Sequence, residues 1–215
     1  MAAYGRPSLR DLFDESPTPH IAHPPRSHHR DFYIATDGSF RPHGSTASDA
    51  SVSGGLGVIV ETLDGERVVR LSVPDTAPDN NVAEYRALHL GLDVLAARAP
   101  PDARVGLLID HDQLAENVNA EVLATHGSTY DPPHGVTVPP ATGLHWRGIQ
   151  ARINGFEEIR AARISGDRNP AHPLANAPEQ YAHVNTEADR CVRPGMHATD
   201  EGVPPPSRAE RGVSD

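Results

Sequence analysis

The chain has 215 residues, 37% hydrophobic and 22% charged, which is enough to bury a core within one folded domain. Formal net charge is −10 at pH 7, and all 19 positions counted as Lys or Arg are Arg; so acidic a surface argues against a non-specific nucleic-acid binder at ordinary salt, because phosphate neutralisation holds such complexes together. The lone cysteine, Cys191, excludes an internal disulfide and a Cys-based zinc site, and no apolar run approaches the roughly 18 residues of a membrane span.

The N-terminus, "MAAYGRPSLRDLFDESPTPH", has no apolar signal core, so a reducing cytoplasm is the expected setting and no membrane partner is expected. Residues 1–30, rich in Pro, Ser, His and charge without an apolar period, predict a disordered arm. "DFYIATDGSF" (31–40) predicts a strand running into a turn. "GGLGVIVET" (54–62) and "ERVVRLSV" (66–73) flank Asp64-Gly65, a hairpin signal. A helix from Asn81 to about Arg98 follows. "RVGLLID" (104–110), a continuous apolar run, predicts a buried strand, and "DQLAENVNAEVL" (112–123) a helix capped by Asp112. A Pro/Gly-rich excursion fills 125–143. Helical spacing returns at 144–155, anchored by Leu144, Ile149 and Ile153, before a last strand at 157–165. A second loop (166–183), a short helix (185–193) and a disordered tail (194–215) complete the chain. The order βββαβαβα over residues 31–193 predicts an α/β fold. Its mixed five-stranded sheet begins with three antiparallel strands, continues through parallel crossovers and carries helices on both faces. The 13 His are scattered, without the convergent spacing of a zinc site.

Glu84 is the anomaly. In the helix "NNVAEYRALHLGL" (80–92) it shares a stripe with Leu88, Gly91, Leu92 and Leu95, where a carboxylate is expensive to bury without a partner. Asp37 follows the run "FYIAT", Asp110 ends "VGLLI", and Asp189 lies in the first turn of the last helix. Turn chemistry alone accounts for Asp37-Gly38-Ser39, and a capping box for Thr186-x-x-Asp189. If the four carboxylates converge, however, their repulsion calls for cations. Two hard divalent ions, Mg2+ or Mn2+, set about 4 Å apart would neutralise them and suit phosphoryl displacement.

"YIATDGS", "NNVAEYRALHLGL", "LLID" and "NTEADR" resemble, in order, the motifs of ribonuclease HI, especially its archaeal type. The resemblance covers most of 31–193 and implies the fold read above. It also implies hydrolysis of the RNA strand of an RNA–DNA hybrid with two Mg2+ ions, leaving 5′-phosphate and 3′-hydroxyl ends. By motif match, Asp37, Glu84, Asp110 and Asp189 would be the metal-binding and catalytic carboxylates. The backbone at Gly38 and Ser39 would approach the RNA strand. Asn80 and Asn81 would read the hybrid's minor groove, where RNA shows 2′-hydroxyls, with one of them also free to cap the helix; Asn185 completes an Asn-x-x-x-Asp spacing with Asp189.

Two departures stand out. His111 follows Asp110 where the family usually carries Ser or Asn. The loop at 166–183 is longer than in archaeal relatives and offers His172 and His183, either of which could move protons from a mobile loop. No basic protrusion is visible; Arg147, Arg152, Arg160, Arg163 and Arg168 are the candidate substitutes. A monomeric two-metal nuclease is the leading expectation, active even at molar salt if the acidity reflects a salty cytoplasm. A non-catalytic hybrid- or partner-binding module on the same fold is the alternative. A 3′–5′ exonuclease is disfavoured, because such enzymes usually begin with Asp-x-Glu on the first strand.

Overall fold

A computed structural model describes residues 6–21, 29–41, 54–126 and 136–181. The expected helix at 185–193 and the tail from 194 lie outside the described residues, as does the middle of the 125–143 excursion, residues 127–135.

Five strands form one sheet: β1 (Phe32–Phe40), β2 (Gly54–Thr62), β3 (Arg67–Asp75), β4 (Arg104–Ile109) and β5 (Glu158–Arg163), in the spatial order β3-β2-β1-β4-β5. The first three pair antiparallel, while β4 joins β1 and β5 joins β4 in parallel. The β2–β3 connection turns at Gly65, whose φ of +77° an L side chain rarely adopts. The helices are α1 (Leu9–Glu15), α2 (Asn80–Ala96), α3 (Asp112–His126), α4 (Gly143–Ile153) and α5 (His172–Asn176), with a 3-10 turn at Pro140–Thr142 leading into α4.

Side-chain alternation along the central strand builds two cores. Phe32 and Ile34 enter the layer formed by α2, α3 and α4, against Leu88, Leu92, Leu114, Val118, Ile149 and Ile153. Tyr33 and Ala35 enter the opposite layer, against Leu9, Leu12 and Phe13 of α1 and Leu174 of α5. Burial on both faces is why β1 and β4 read as continuous apolar runs rather than alternating ones. The mixed five-stranded sheet with helices on both faces is therefore as the sequence predicts.

Four local expectations need correction. The arm is not disordered throughout: Ser8 and Asp11 form a capping box, and Leu9, Leu12 and Phe13 bury one side of α1 against the sheet. Beyond α1, Pro17 O accepts from Arg163 N (2.8 Å), and Asn119 Nδ2 donates to Pro19 O (2.8 Å), laying the segment along β5. Asp37-Gly38-Ser39 is not a turn, because β1 continues to Phe40 and these residues pair with Gly57, Leu56 and Gly55. The 166–183 loop contains α5. Finally, neither Asn80 nor Asn81 caps α2, and Asp112 does not cap α3. Asp79 accepts from Val82 N (2.9 Å), and His111 Nδ1 accepts from Leu114 N (3.1 Å), while Asp112 pairs with Arg163.

Candidate active site

Parallel pairing sets the first two carboxylates. The register aligns Thr36 with Ile109, so Asp37 and Asp110, the next residue of each chain segment, emerge side by side. The third arrives from α2. A Cβ at Gly38 would lie 2.2 Å from the Ala83 carbonyl carbon and 2.3 Å from Glu84 N, so the absence of a side chain there lets α2 settle onto β1. Helical spacing then turns Glu84 inward, where the Gly38 backbone N–H donates to its carboxylate. Gly38 thus has a structural use within the fold, and Ser39 has another: buried, its hydroxyl donates to Ala175 O (2.6 Å) and accepts from Gly55 N (3.1 Å).

The electrostatics are unfavourable for three bare anions. Asp37 is 3% exposed and Glu84 4%, and Asp110 is partly buried. Burial, followed by the charge and hydrogen bonding of Asp110, pushes the Asp37 carboxyl up to about 8. Burial, followed by Asp110 and Asp37, raises Glu84 well above the ordinary carboxylate range, and the Gly38 N–H offsets part of that rise. Among the described residues, Asp37 Oδ2, Glu84 Oε2 and Asp110 Oδ1 are buried without a hydrogen-bond partner. Oxygens left so are costly in a folded protein and fit a hard divalent cation, which takes oxygen ligands and lowers each carboxyl's proton affinity.

His172 closes the group from α5. Its Nδ1 stands 3.3 Å from Asp37 Oδ2, and one ligand atom each of Asp37, Asp110 and His172 lie within 4.8 Å of one another. The ring is half-exposed, and Asn176 Nδ2 reaches its Nε2 at 3.0 Å. It stands on a helix, not in the mobile loop that the sequence suggested. Asn169, absent from the sequence reading, holds that segment in place: its Nδ2 donates to Thr36 O (2.8 Å) and its Oδ1 accepts from Ala171 N (3.0 Å). Its signal in the sequence is slight, an Asn before Pro170 in a turn.

Asn80 and Asn81 are exposed in the first turn of α2, close to Glu84 in sequence. His183, Asn185 and Asp189 lie outside the described residues. The five arginines do not make a free basic surface. Arg152 is buried against Asp93, Arg160 pairs with Glu158, Arg163 with Asp112 and Arg168 with Glu15, leaving Arg147 exposed on α4.

No family model and no curated protein matches this chain. Solved structures do. An N-terminal RNase H domain from Mycobacterium tuberculosis, studied as a fusion with maltose-binding protein, aligns at 21% identity and TM-score 0.50, covering 67% of this chain and 95% of that one. RNase H1 from the halophilic archaeon Halobacterium salinarum aligns at 20% and 0.48, over 69% and 97%. LC11-RNase H1, isolated from compost and solved with an RNA/DNA hybrid, aligns at 18% and 0.48, over 74% and 97%. Sheet order, crossover pattern and the mycobacterial match together establish that this chain has the ribonuclease H fold.

Proposed function

We propose that the protein is an endonuclease that hydrolyses the RNA strand of RNA–DNA hybrids with two divalent metal ions, leaving 5′-phosphate and 3′-hydroxyl ends. The convergence of Asp37, Glu84 and Asp110, with buried oxygens that make no hydrogen bond among the described residues, carries this reading, since a fold alone does not imply a function. The names of the aligned structures, one of them a hybrid complex, support the substrate class.

Asp37, Glu84 and Asp110 would hold the ions, with Asp189 as the fourth ligand by its motif. Mg2+ or Mn2+ there would stabilise charge developing on the displaced phosphodiester oxygens. The chain's own groups do the rest. Gly38 N–H orients Glu84. His172 is placed to hold or release a proton at Nδ1 beside Asp37. Asn80 and Asn81, on the exposed first turn of α2, meet the groove through their side-chain amides.

The test is cleavage of an end-labelled hybrid beside RNA-duplex and DNA-duplex controls, in Mg2+ and in Mn2+, from low to molar salt. Hybrid-restricted, metal-dependent cleavage that disappears in Asp37→Asn and Glu84→Gln is expected. A hybrid bound but left intact under every condition would replace the nuclease with a binding module.

A further inference from the structure

His111 occupies the position after Asp110 and does two things at once. Its Nδ1 accepts the Leu114 backbone N–H at 3.1 Å, an N–H it shares with the His111 carbonyl oxygen at 3.1 Å, and so caps α3. Its Nε2 lies 2.7 Å from Asn81 Oδ1, at the start of α2. The first bond decides the second. A ring nitrogen that accepts a hydrogen bond carries no proton, so the neutral ring must carry its proton on Nε2 and donate it to Asn81. The ring also stands edge-on to Tyr85, with centroids 6.3 Å apart, and the Tyr85 hydroxyl is in turn held by Asn117 Nδ2 at 3.0 Å.

The consequence falls on Asn81. With its oxygen committed to His111, the amide presents its other arm, an NH2 with two donors, away from the clamp. An unclamped Asn could present either end. We propose that His111 is a positioning residue that fixes Asn81 as a donor toward the minor groove of the hybrid. This rests on the hybrid-binding reading above. Every base pair offers acceptors in that groove, purine N3 and pyrimidine O2, and every ribose offers 2′-hydroxyl lone pairs. A fixed donor therefore finds a partner at any sequence. A flipped amide would present an acceptor, for which the groove offers only the guanine N2 amino group and 2′-hydroxyl protons.

The design also explains why His serves here in a way that a Ser would not. Ser at this position could cap α3, but its short side chain could not also span to Asn81. His111→Ser is therefore a clean probe: it keeps a helix cap and removes the clamp.

The experiment measures KM and kcat for hybrid cleavage in wild type, His111→Ser, Asn81→Ala and the double variant, on hybrids of differing base composition. Thermal melting of each variant is the control for folding. Histidine 15N spectra of the metal-free wild type read the His111 tautomer without reference to activity. We expect the Nε2–H tautomer, a severalfold rise in KM for His111→Ser that exceeds its fall in kcat, and no further rise when His111→Ser is added to Asn81→Ala. An Nδ1–H tautomer overturns the proposal, as does unchanged KM in His111→Ser or multiplicative effects in the double variant. If wild type neither binds nor cleaves the hybrid, the functional reading itself fails and the proposal fails with it. An active wild type with an indifferent His111→Ser sinks the proposal alone.

Discussion

Helix α2 carries a buried polar cluster at each end, and the two are built on opposite plans. At its start, Glu84 joins Asp37 and Asp110, all acids, with buried oxygens that make no hydrogen bond among the described residues. Further along, His89 and Asp93 meet His145 and Arg152 of α4, beside a cleft of about 400 Å3 that Leu56, Val73 and Arg86 help to line. There acid faces base. Arg86 donates from Nη1 to both Asp75 carboxylate oxygens (2.9 and 3.0 Å) and from Nε to His145 Nε2 (3.3 Å). His145 and His89 face each other through Nδ1 at 3.4 Å, His89 Nε2 approaches Asp93 at 3.4 Å, and Arg152 Nε donates to Asp93 at 2.8 Å. The second cluster sets carboxylate against guanidinium and imidazole, whereas the first gathers three carboxylates whose mutual repulsion calls for a cation. That difference separates a structural polar core from a functional one better than burial does, since both are buried.

Substitution should split the two ends of the helix. Asp37→Asn or Glu84→Gln should lower hybrid cleavage by about a thousandfold or more while the fold is retained, read by single-turnover rates beside circular dichroism. Arg152→Ala should do the reverse, leaving Asp93 beside an emptied guanidinium site and lowering stability by about 3 kcal/mol in denaturant melts, with the metal-dependence of the reaction unchanged. A loss well under 1 kcal/mol there would mean that the second cluster is no more self-sufficient than the first.

The acidic cluster should also set the pH response of the metal-free protein. Asp37 titrates near 8 in the folded chain against 3.8 for an ordinary Asp, and Glu84 is raised as well. The folded state thus keeps protons that the unfolded state releases, so this contribution to stability is full below about 4 and is lost as pH rises to about 8. Melting temperature without metal should fall over that window, and Mg2+ should restore it at pH 8 far more than at pH 5. Asp37→Asn should stabilise the metal-free protein at pH 8 by about 1–3 kcal/mol and lose that advantage near pH 4. Equal Mg2+ effects at both pH values would show that the carboxylates are not the binding groups. The smallest expected effect lies at the helix start itself: Asp79→Ala should cost about 1 kcal/mol, whereas alanine at Asn80, which does not cap the helix, should cost less.

The sheet was legible because its central strands β1, β2 and β4 are buried almost throughout and read as continuous apolar runs, and Glu84 was legible because a carboxylate in an apolar stripe has few explanations. What escaped the sequence depended on which neighbour arrives. Three cap-forming residues stand in a row at Asp79, Asn80 and Asn81, and only the requirement that Val82 and Glu84 face inward selects Asp79. Asp37-Gly38-Ser39 has turn composition, yet Gly38 is there for the close approach of α2 and not for a bend. Helix α1 is too short to persist alone, so its Leu9, Leu12 and Phe13 gain meaning only from the sheet beneath them. His172 needed α5, and α5 needed Asn169 to anchor it to β1.

The N-terminal segment has a consequence for keeping the protein in solution. β5 ends the sheet, and an open end strand with bare N–H and C=O groups is a template for pairing with another molecule. The chain around Pro17 takes up Arg163 N there, and α1 shields the apolar side chains of β1 and β4 next to it. Cutting the chain back to residue 31, the boundary that composition recommends, would leave the catalytic candidates in place and strip both covers. Such a fragment should be prone to self-association through its sheet edge, visible as a concentration-dependent rise in light scattering that the full chain lacks.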